Sequence, residues 1–223
     1  MTEVGRSQPI PPNQYFKPKE TQMITLYDMA LSGNCHKVRL LLSLLGLPYQ
    51  TRPVDLLGGE QRGSDFLQVN PFGQVPVLED DGLTIRDSQA ILVYLAKRYG
   101  GETWWPGDAY QLAQIAAWLS TAANEIFNGP AMLRVHHKFG RAIDTARAQQ
   151  VADKVLGIVE GHLQNHDWLA NDRLSLADLA VYPYLALAPE GGIAIGDYPN
   201  IVAWFQRIRA LPGYVSMPGM WQA

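Results

Sequence analysis

The feature that most constrains this fold is a change in hydrophobic periodicity near the middle of the chain. Between Met23 and about residue 100, short alternating apolar runs are separated by runs with helical spacing. From about residue 108 onward, only helical spacing occurs. Because a strand buries every second residue and a helix every third or fourth, the pattern predicts a small α/β domain followed by an all-helical domain.

The first domain is predicted to run strand, helix, strand, helix, strand, strand, helix. The turn Asp80-Asp81-Gly82 indicates a tight hairpin between its last two strands. This order joins a right-handed crossover unit to a hairpin. We predict strands over 23–27, 49–54, 75–78 and 83–85, and helices that begin near Ser32, Ser64 and Asp87.

The second domain carries several helix signals. Gly129-Pro130 predicts a bend in its long first helix. Ser175 followed by Asp178 is a capping box, in which a serine and an acid three residues later close a helix N-terminus. We expect Asn200 to cap the last helix.

We interpret residues 1–22 as a flexible Pro-rich tail, 23–101 as the α/β domain, 102–107 as a linker and 108–223 as the helical domain.

Composition and charge limit the classes of function. Eighteen basic and 21 acidic residues give a formal charge of -3, which offers no positive field for nucleic acid. No apolar run approaches the roughly 18 residues that a membrane helix needs. The single cysteine, Cys35, excludes an intramolecular disulfide and favours a reducing compartment, the cytoplasm.

Several segments together resemble the cytosolic glutathione S-transferases. Segment 26–35, with Ser32 after the first strand, is most similar to the serine-using, theta-like branch, and Asn34 is similar to the bacterial nu-like branch. Segments 70–78 and 87–91 match the family's glutathione-site segments. The resemblance covers nearly the whole chain from the first strand onward. It implies a thioredoxin-like domain plus a helical bundle domain, glutathione as co-substrate, and a homodimer.

Glutathione has a zwitterionic γ-glutamyl end, a central thiol and a terminal carboxylate, and each part needs a different partner. A helix N-terminus offers free N–H groups to the γ-glutamyl carboxylate, and Ser88 lies at such a terminus. Asp87 supplies a negative charge for the ammonium group. The pair is therefore assigned to glutathione binding, while the same two residues are also typical of a plain N-cap.

The cysteinyl and glycyl parts are assigned to two loops. In the family, the residue before a cis proline pairs its backbone with the cysteinyl unit, which indicates Val75-Pro76, although trans is the ordinary form of such a bond. Gln74 resembles a family side chain that contacts the tripeptide, and a solvent-facing glutamine is the alternative. Gln61 and Arg62 are the candidates for the glycyl carboxylate, with a solvated loop as the alternative.

The sulfur requires a group that lowers its pKa, since the thiolate is the attacking species. Ser32 begins the first helix, so its hydroxyl is the candidate donor to the sulfur, and a simple helix cap is the alternative. Asn34 is the second catalytic candidate, either as a further donor or as the residue that orients the turn. Cys35 follows within the helix, and we expect a packed, inert thiol rather than a redox centre.

The acceptor substrate is expected between the two domains. Trp104, Ile126, Phe127 and Arg134 are candidates for this pocket by helical position, and each also fits a place in the core. No metal site is assigned, because the chain's two adjacent histidines cannot share one helix face.

The resulting hypothesis is an enzyme that attacks a small hydrophobic electrophile with the glutathione thiolate, a reaction typical of detoxification. A glutathione-dependent disulfide-bond reductase is the catalytic alternative, and Asn34 favours it. A non-catalytic scaffold module with the same fold is the alternative outside catalysis.

Overall fold

The structure, a computed structural model, describes residues 23–222, so the predicted tail over 1–22 lies outside the described residues. The strands of the α/β domain are β1 (Ile24–Asp28), β2 (Tyr49–Pro53), β3 (Val77–Asp80) and β4 (Leu83–Arg86). They form one sheet in the order β2-β1-β3-β4. Strand β1 pairs with β2 in parallel and with β3 antiparallel, and β3 pairs with β4 antiparallel.

Three helices cover the two faces of this sheet: α1 (Gly33–Leu44), α2 (Ser64–Val69) and α3 (Ser88–Leu95). Alternation along β1 places Leu26 in a core cluster with α1 and α3, and Tyr27 in a second cluster with Phe66 of α2. Full burial of a leucine such as Leu26 contributes about 1.5–3 kcal/mol to the free energy of folding. Apolar clusters on both faces therefore stabilise the packing of the helices on the sheet. The predicted thioredoxin-like domain is confirmed.

A one-turn helix, α4 (Gly101–Trp104), precedes the helical domain, which contains α5 (Ala109–Thr121), α6 (Met132–Phe139), α7 (Thr145–Leu163), α8 (Leu176–Ala186) and α9 (Pro199–Arg209). A π-helical segment, Ala122–Ala131, joins α5 to α6 where the bend is predicted. Pro130 lies inside this segment and has no N–H to donate to the preceding turn, which accounts for the departure from α geometry. Gly129 allows close packing on α7, since a Cβ there would lie 2.8 Å from the Ala152 nitrogen.

Helix α8 is buried along its whole length and joins the two domains, because it packs against α1 and against α5. The predicted capping box is confirmed at its start. The Ser175 hydroxyl accepts a hydrogen bond from the Ala177 N–H at 3.2 Å, and the Ser175 N–H donates to Asp178 at 2.9 Å. The Leu169 N–H and the Trp204 indole also donate to Asp178, each at 3.0 Å. Asp178 therefore fixes the start of the helix that holds the domains together.

Some predicted boundaries differ from the observed ones. Strand β3 begins after Pro76 rather than at Val75, because proline has no N–H to donate to a neighbouring strand. Segment 102–107, expected as a linker, includes the last three residues of α4. Asn200 lies inside α9 instead of capping it, and its side chain bonds the Glu160 carboxylate of α7. No helix in the described part of the chain is both long and apolar enough to cross a membrane.

Candidate active site

A cleft of about 420 Å³ lies between the α/β domain and the helical domain. Its α/β wall contains the N-termini of α1 and α3 together with two loops. Its helical wall contains the π-helical segment and the loop after α6. On the α/β side the cleft brings together the predicted residues Ser32, Asn34, Gln61, Gln74, Val75, Asp87 and Ser88.

The N-terminus of α1 is open to the cleft. Ser32 is its N-cap residue, with φ −83° and ψ 121°, and the Ser32 Oγ accepts a hydrogen bond from the Cys35 N–H at 3.2 Å. The Ser32 N–H donates to the Met29 carbonyl at 2.8 Å, which fixes the turn. The Ser32 hydroxyl proton has no acceptor among the described residues, so it is available to a ligand atom in the cleft. The positive end of the helix dipole also favours a negative charge here.

The N-terminus of α3 is open to the same cleft. Asp87 caps it with φ 72° and ψ 128°, a sparsely populated positive-φ conformation that costs a non-glycine residue about 1–3 kcal/mol and is concentrated at functional sites. Its Oδ1 accepts from the N–H groups of Gln89 at 2.9 Å and Ala90 at 3.2 Å, whereas its Oδ2 has no partner within residues 23–222. Ser88 is 3% exposed, and its hydroxyl donates to the Gln89 side chain at 2.9 Å. This terminus therefore offers one carboxylate oxygen to a cation, and it offers the Ser88 N–H, which has no partner among the described residues, to an anion.

The loop before β3 presents its backbone to the cleft. The Val75-Pro76 peptide bond is cis. Neither the N–H nor the C=O of Val75 forms a backbone hydrogen bond with another residue that the structure describes. The Asn70 side chain donates to the carbonyl of the exposed Gln74 at 2.7 Å and holds this loop in place. An extended ligand backbone can pair with Val75 in the manner of an added strand.

Of the two candidates for the glycyl end of glutathione, Gln61 and Arg62, one lines the cleft and the other does not. Gln61 lines the cleft, where its Nε2 donates to the Leu56 carbonyl at 3.3 Å. Its buried Oε1 has no hydrogen-bond partner in the described part of the chain. Arg62 is exposed on the 3-10 turn Glu60–Arg62 and does not line the cleft. The structure therefore brings Gln61, and not Arg62, to the cleft.

Of the four candidates for the acceptor pocket, the structure brings Phe127 to the cleft and places the other three elsewhere. Phe127 is 40% exposed there. Its neighbour Ile126 is fully buried in the core. Arg134 is 2% exposed because it forms an ion pair with Glu190, with 2.6 Å between Nε and Oε2. Trp104 packs partly buried against the main core.

Sequence reasoning missed three residues on the helical wall: Ala122, Ala123 and Arg141. The two alanines precede Phe127 by about one turn of the π-helical segment, so spacing back from Phe127 is the signal that identifies them. Arg141 lies in the loop between α6 and α7, where no periodic pattern exists.

A lysine is buried beneath the two open helix N-termini. Lys37 is 1% exposed, and its Nζ lies 5.4 Å from the centroid of the Tyr184 ring. Burial lowers the pKa of Lys37 to about 7, and the negative charge of Asp87 acts in the opposite direction. Gly33 allows Tyr184 of α8 to approach α1, since a Cβ there would lie 2.9 Å from the ring. The first turn of α1 therefore rests directly on the helix that joins the domains.

Cys35 is fully buried, and burial raises the pKa of its thiol to about 12. A thiol with such a pKa stays protonated near neutral pH and is a poor nucleophile.

The adjacent histidines do not form a metal site in the described residues. The ring of His136 contacts the backbone, with 2.9 Å between its Nδ1 and the Arg141 carbonyl oxygen. Within the described residues, no group of three or more histidine, cysteine or acidic side chains is arranged to hold a metal ion.

The fold and the cleft together define a class of protein, in which a thioredoxin-like domain and a helical domain form a cleft between them. Comparison with known families agrees with this assignment. The model of the glutathione S-transferase N-terminal domain matches residues 26–103, and the model of the glutathione S-transferase C-terminal domain matches residues 123–212.

Individual proteins give the same result. Glutathione S-transferase 3 of Zea mays is 35% identical over 205 residues, which cover 86% of this chain and 91% of that protein. The crystal structure of glutathione S-transferase from Pseudomonas fluorescens Pf-5 has a TM-score of 0.82 at 33% identity, covering 88% of this chain and all of that one. A structure of Ure2p in complex with glutathione has a TM-score of 0.77 at 29% identity, covering 87% of this chain and 93% of that one. This chain therefore belongs to the glutathione S-transferase family and is a glutathione transferase enzyme.

Proposed function

We propose that this enzyme lowers the pKa of the glutathione thiol at Ser32 and directs the thiolate at a small electrophile. The observation that carries the proposal is the unshared hydroxyl proton of Ser32 at the open N-terminus of α1. A donated hydrogen bond and a helix N-terminus both favour the charged form of the sulfur. Each unit by which the thiol pKa falls corresponds to about 1.4 kcal/mol of preference for the thiolate. Use of Ser32 assigns the chain to the serine-using branch, theta-like or nu-like.

The rest of the tripeptide is proposed to follow the α/β wall. The open Oδ2 of Asp87 takes the γ-glutamyl ammonium group, and the Ser88 end of α3 takes the α-carboxylate. The backbone of Val75, before the cis Pro76, pairs with the cysteinyl unit. Gln61 is proposed to take the glycyl carboxylate through the second hydrogen of its Nε2, since the first is donated to the Leu56 carbonyl. In this binding mode the sulfur lies beside Ser32.

The test is conjugation of glutathione to 1-chloro-2,4-dinitrobenzene. Ser32→Ala is expected to lower kcat/KM at least tenfold, while calorimetry still detects glutathione binding. Ser64→Ala is the matched control, because Ser64 is an exposed serine at the start of α2 that does not line the cleft. Undiminished turnover by Ser32→Ala removes Ser32 from the mechanism.

A glutathione-dependent disulfide-bond reductase is the second candidate function, because Asn34 lines the cleft with Ser32 and its amide is proposed to donate to a second sulfur. Disulfide exchange should then survive Cys35→Ser, since the chemistry uses bound glutathione, and should fall with Asn34→Ala. Conjugation activity without disulfide exchange leaves the transferase reaction as the function.

A scaffold role without glutathione is tested by calorimetry on the wild-type chain. Our proposal requires binding at or below millimolar glutathione, because the two open helix N-termini, the Val75 backbone and Gln61 offer partners to the polar parts of the ligand. A flat titration at millimolar ligand favours the scaffold.

We further propose that the enzyme is a cytoplasmic homodimer. Support for the dimer comes from large apolar side chains that remain exposed in one chain, among them Phe72 at 60% and Ile158 at 53%. Ile158 and Trp118 line an apolar groove of about 350 Å³ between α5 and α7. Sedimentation equilibrium should give twice the mass of one chain, and Ile158→Lys should shift it towards one.

A further inference from the structure

The helical wall of the cleft carries a charge that the binding of glutathione does not use. Among the described residues that line the cleft, Asp87 and Arg141 are the two charged ones. Asp87 lies on the α/β wall at the γ-glutamyl end. Arg141 lies on the opposite wall, together with Ala122, Ala123 and Phe127. This wall faces the place where the acceptor substrate meets the sulfur.

The backbone around Arg141 is anchored while its side chain is free. The Arg141 carbonyl oxygen lies 2.9 Å from His136 Nδ1, and the Gly140 N–H donates to the His136 carbonyl at 2.9 Å. Three residues later, Asp144 caps α7 by accepting from the Arg147 N–H at 2.9 Å. The Arg141 guanidinium forms no hydrogen bond or ion pair with any other residue in 23–222. A cation is therefore held at the cleft without a partner of its own.

The neighbours of Arg141 fit a flat apolar body. Ala122 and Ala123 leave space on this wall, and the half-exposed ring of Phe127 offers a face for stacking. A guanidinium and an aromatic ring on the same wall of the cleft match a planar ring that bears a carboxylate, since arginine binds carboxylates through paired N–H groups. The two carboxylates of glutathione are proposed to lie on the other wall, at Ser88 and Gln61, and so do not occupy it.

We propose that Arg141 selects acceptor substrates of the aromatic carboxylic acid class, in which an electrophilic ring carbon faces the sulfur and the carboxylate meets the guanidinium. The inference rests on the proposed transferase function and narrows its second substrate from any hydrophobic electrophile to an acidic one. With 4-chloro-3-nitrobenzoate, the thiolate attacks the carbon that bears chlorine. The C–S bond forms, the C–Cl bond breaks, its electron pair leaves with chloride, and the thiol proton goes to solvent.

The experiment compares two glutathione conjugates that differ only in the charge of one ring substituent. They are S-(4-carboxy-2-nitrophenyl)glutathione and S-(4-carbamoyl-2-nitrophenyl)glutathione, with Kd measured by calorimetry. Wild type should prefer the acid at least tenfold, and R141Q should lower that ratio about tenfold. R147Q is the matched control: it removes the same charge from an exposed residue outside the cleft, and it should leave the ratio unchanged. The ratio of kcat/KM for 4-chloro-3-nitrobenzoate and its amide should change in parallel.

Each other outcome overturns the inference in a distinguishable way. An unchanged ratio in R141Q shows that Arg141 does not contact the carboxylate, and the transferase function stands. Equal weakening of both conjugates in R141Q assigns Arg141 to glutathione itself. An equal fall of the ratio in R147Q shows that the preference for the acid follows the total charge of the protein and not a contact with Arg141. Failure of wild type to bind either conjugate at millimolar concentration overturns the inference together with the proposed function.

Discussion

Two serines begin helices in this chain, and their surroundings differ. Ser175 at the start of α8 is 1% exposed, and Asp178, three residues later, accepts from both its N–H and its hydroxyl. Ser32 at the start of α1 is followed by Cys35 instead of an acid, and its hydroxyl proton has no described acceptor. The start of α8 is therefore closed by the protein itself, whereas the start of α1 is left open at a cleft.

The capping aspartates show the same contrast. Both carboxylate oxygens of Asp178 accept hydrogen bonds, while Asp87 uses Oδ1 alone. Burial raises the pKa of Asp178 to about 6, and its four donors act in the opposite direction. A satisfied cap stabilises the fold, and an open cap stabilises a ligand. The same local motif therefore serves two purposes, depending on what packs around it.

The largest expected effect is on stability. Asp178→Ala leaves the donors of Ser175, Leu169 and Trp204 buried without an acceptor, and it should lower the free energy of unfolding by about 3–5 kcal/mol. Asp87→Ala is the matched variant at the open cap and should cost about 1 kcal/mol. Urea unfolding measures both. Equal losses would remove the distinction between closed and open caps.

The next effect comes from Lys37. The unfolded chain binds a proton on this lysine below about pH 10.4, whereas the folded chain binds it only below about pH 7. The proton therefore favours unfolding, and the penalty grows as the pH falls from about 10.4 to about 7. Lys37→Met should raise the free energy of unfolding by about 2–4 kcal/mol at pH 7.5 and much less at pH 10.5.

Exposed Lys97→Met is the control for this measurement, since it removes a lysine without a buried site. A gain from Lys37→Met that is equal at both pH values contradicts the linkage. A loss at both values shows that the ammonium group supports the fold through Tyr184 and Asp87 instead.

Glutathione should stabilise the open caps selectively. At about 100 times its Kd, it should add about 2.7 kcal/mol to the free energy of unfolding. Below global unfolding, hydrogen exchange should slow in peptides that cover 32–36 and 86–90. The peptide that covers 175–180 should slow only by that gain in global stability, because it does not line the cleft. Protection spread evenly over all three peptides would argue against binding at the open caps.

The smallest effect is expected at Cys35. Because burial raises the pKa of its thiol to about 12, the native protein should react slowly with thiol reagents and rapidly after unfolding. Cys35→Ala should keep conjugation activity within about twofold. A rapid reaction of the native thiol, or a large loss of activity, would reopen the redox hypothesis.

Local signals were sufficient where neighbours in sequence are also partners in space. The capping box at Ser175 and Asp178 and the order of strands and helices are of this kind. Helical position alone did not predict where Arg134 lies. Arg134 is buried because it pairs with Glu190, which is 56 residues away in the sequence. Spacing also failed at Ile126, because the π-helical segment alters which residues share a face.

The loop between α6 and α7 gave the weakest sequence signal for the site. Arg141 belongs to no helix or strand, so its place on the cleft follows from how α6 and α7 pack rather than from any pattern around it. Asn200 shows the same dependence on tertiary packing, since Glu160 of α7 takes the capping role that the sequence assigns to Asn200.

The most direct measurement is the pH titration of the thiol of bound glutathione, followed by thiolate absorbance near 240 nm. The account predicts a midpoint at least one unit below that of free glutathione in the wild-type enzyme. Ser32→Ala should move the midpoint at least half a unit back towards the free value while glutathione stays bound, and the remaining shift belongs to the helix N-terminus. Equal midpoints in wild type and Ser32→Ala would contradict the claim that the open N-terminus of α1 activates the sulfur through Ser32.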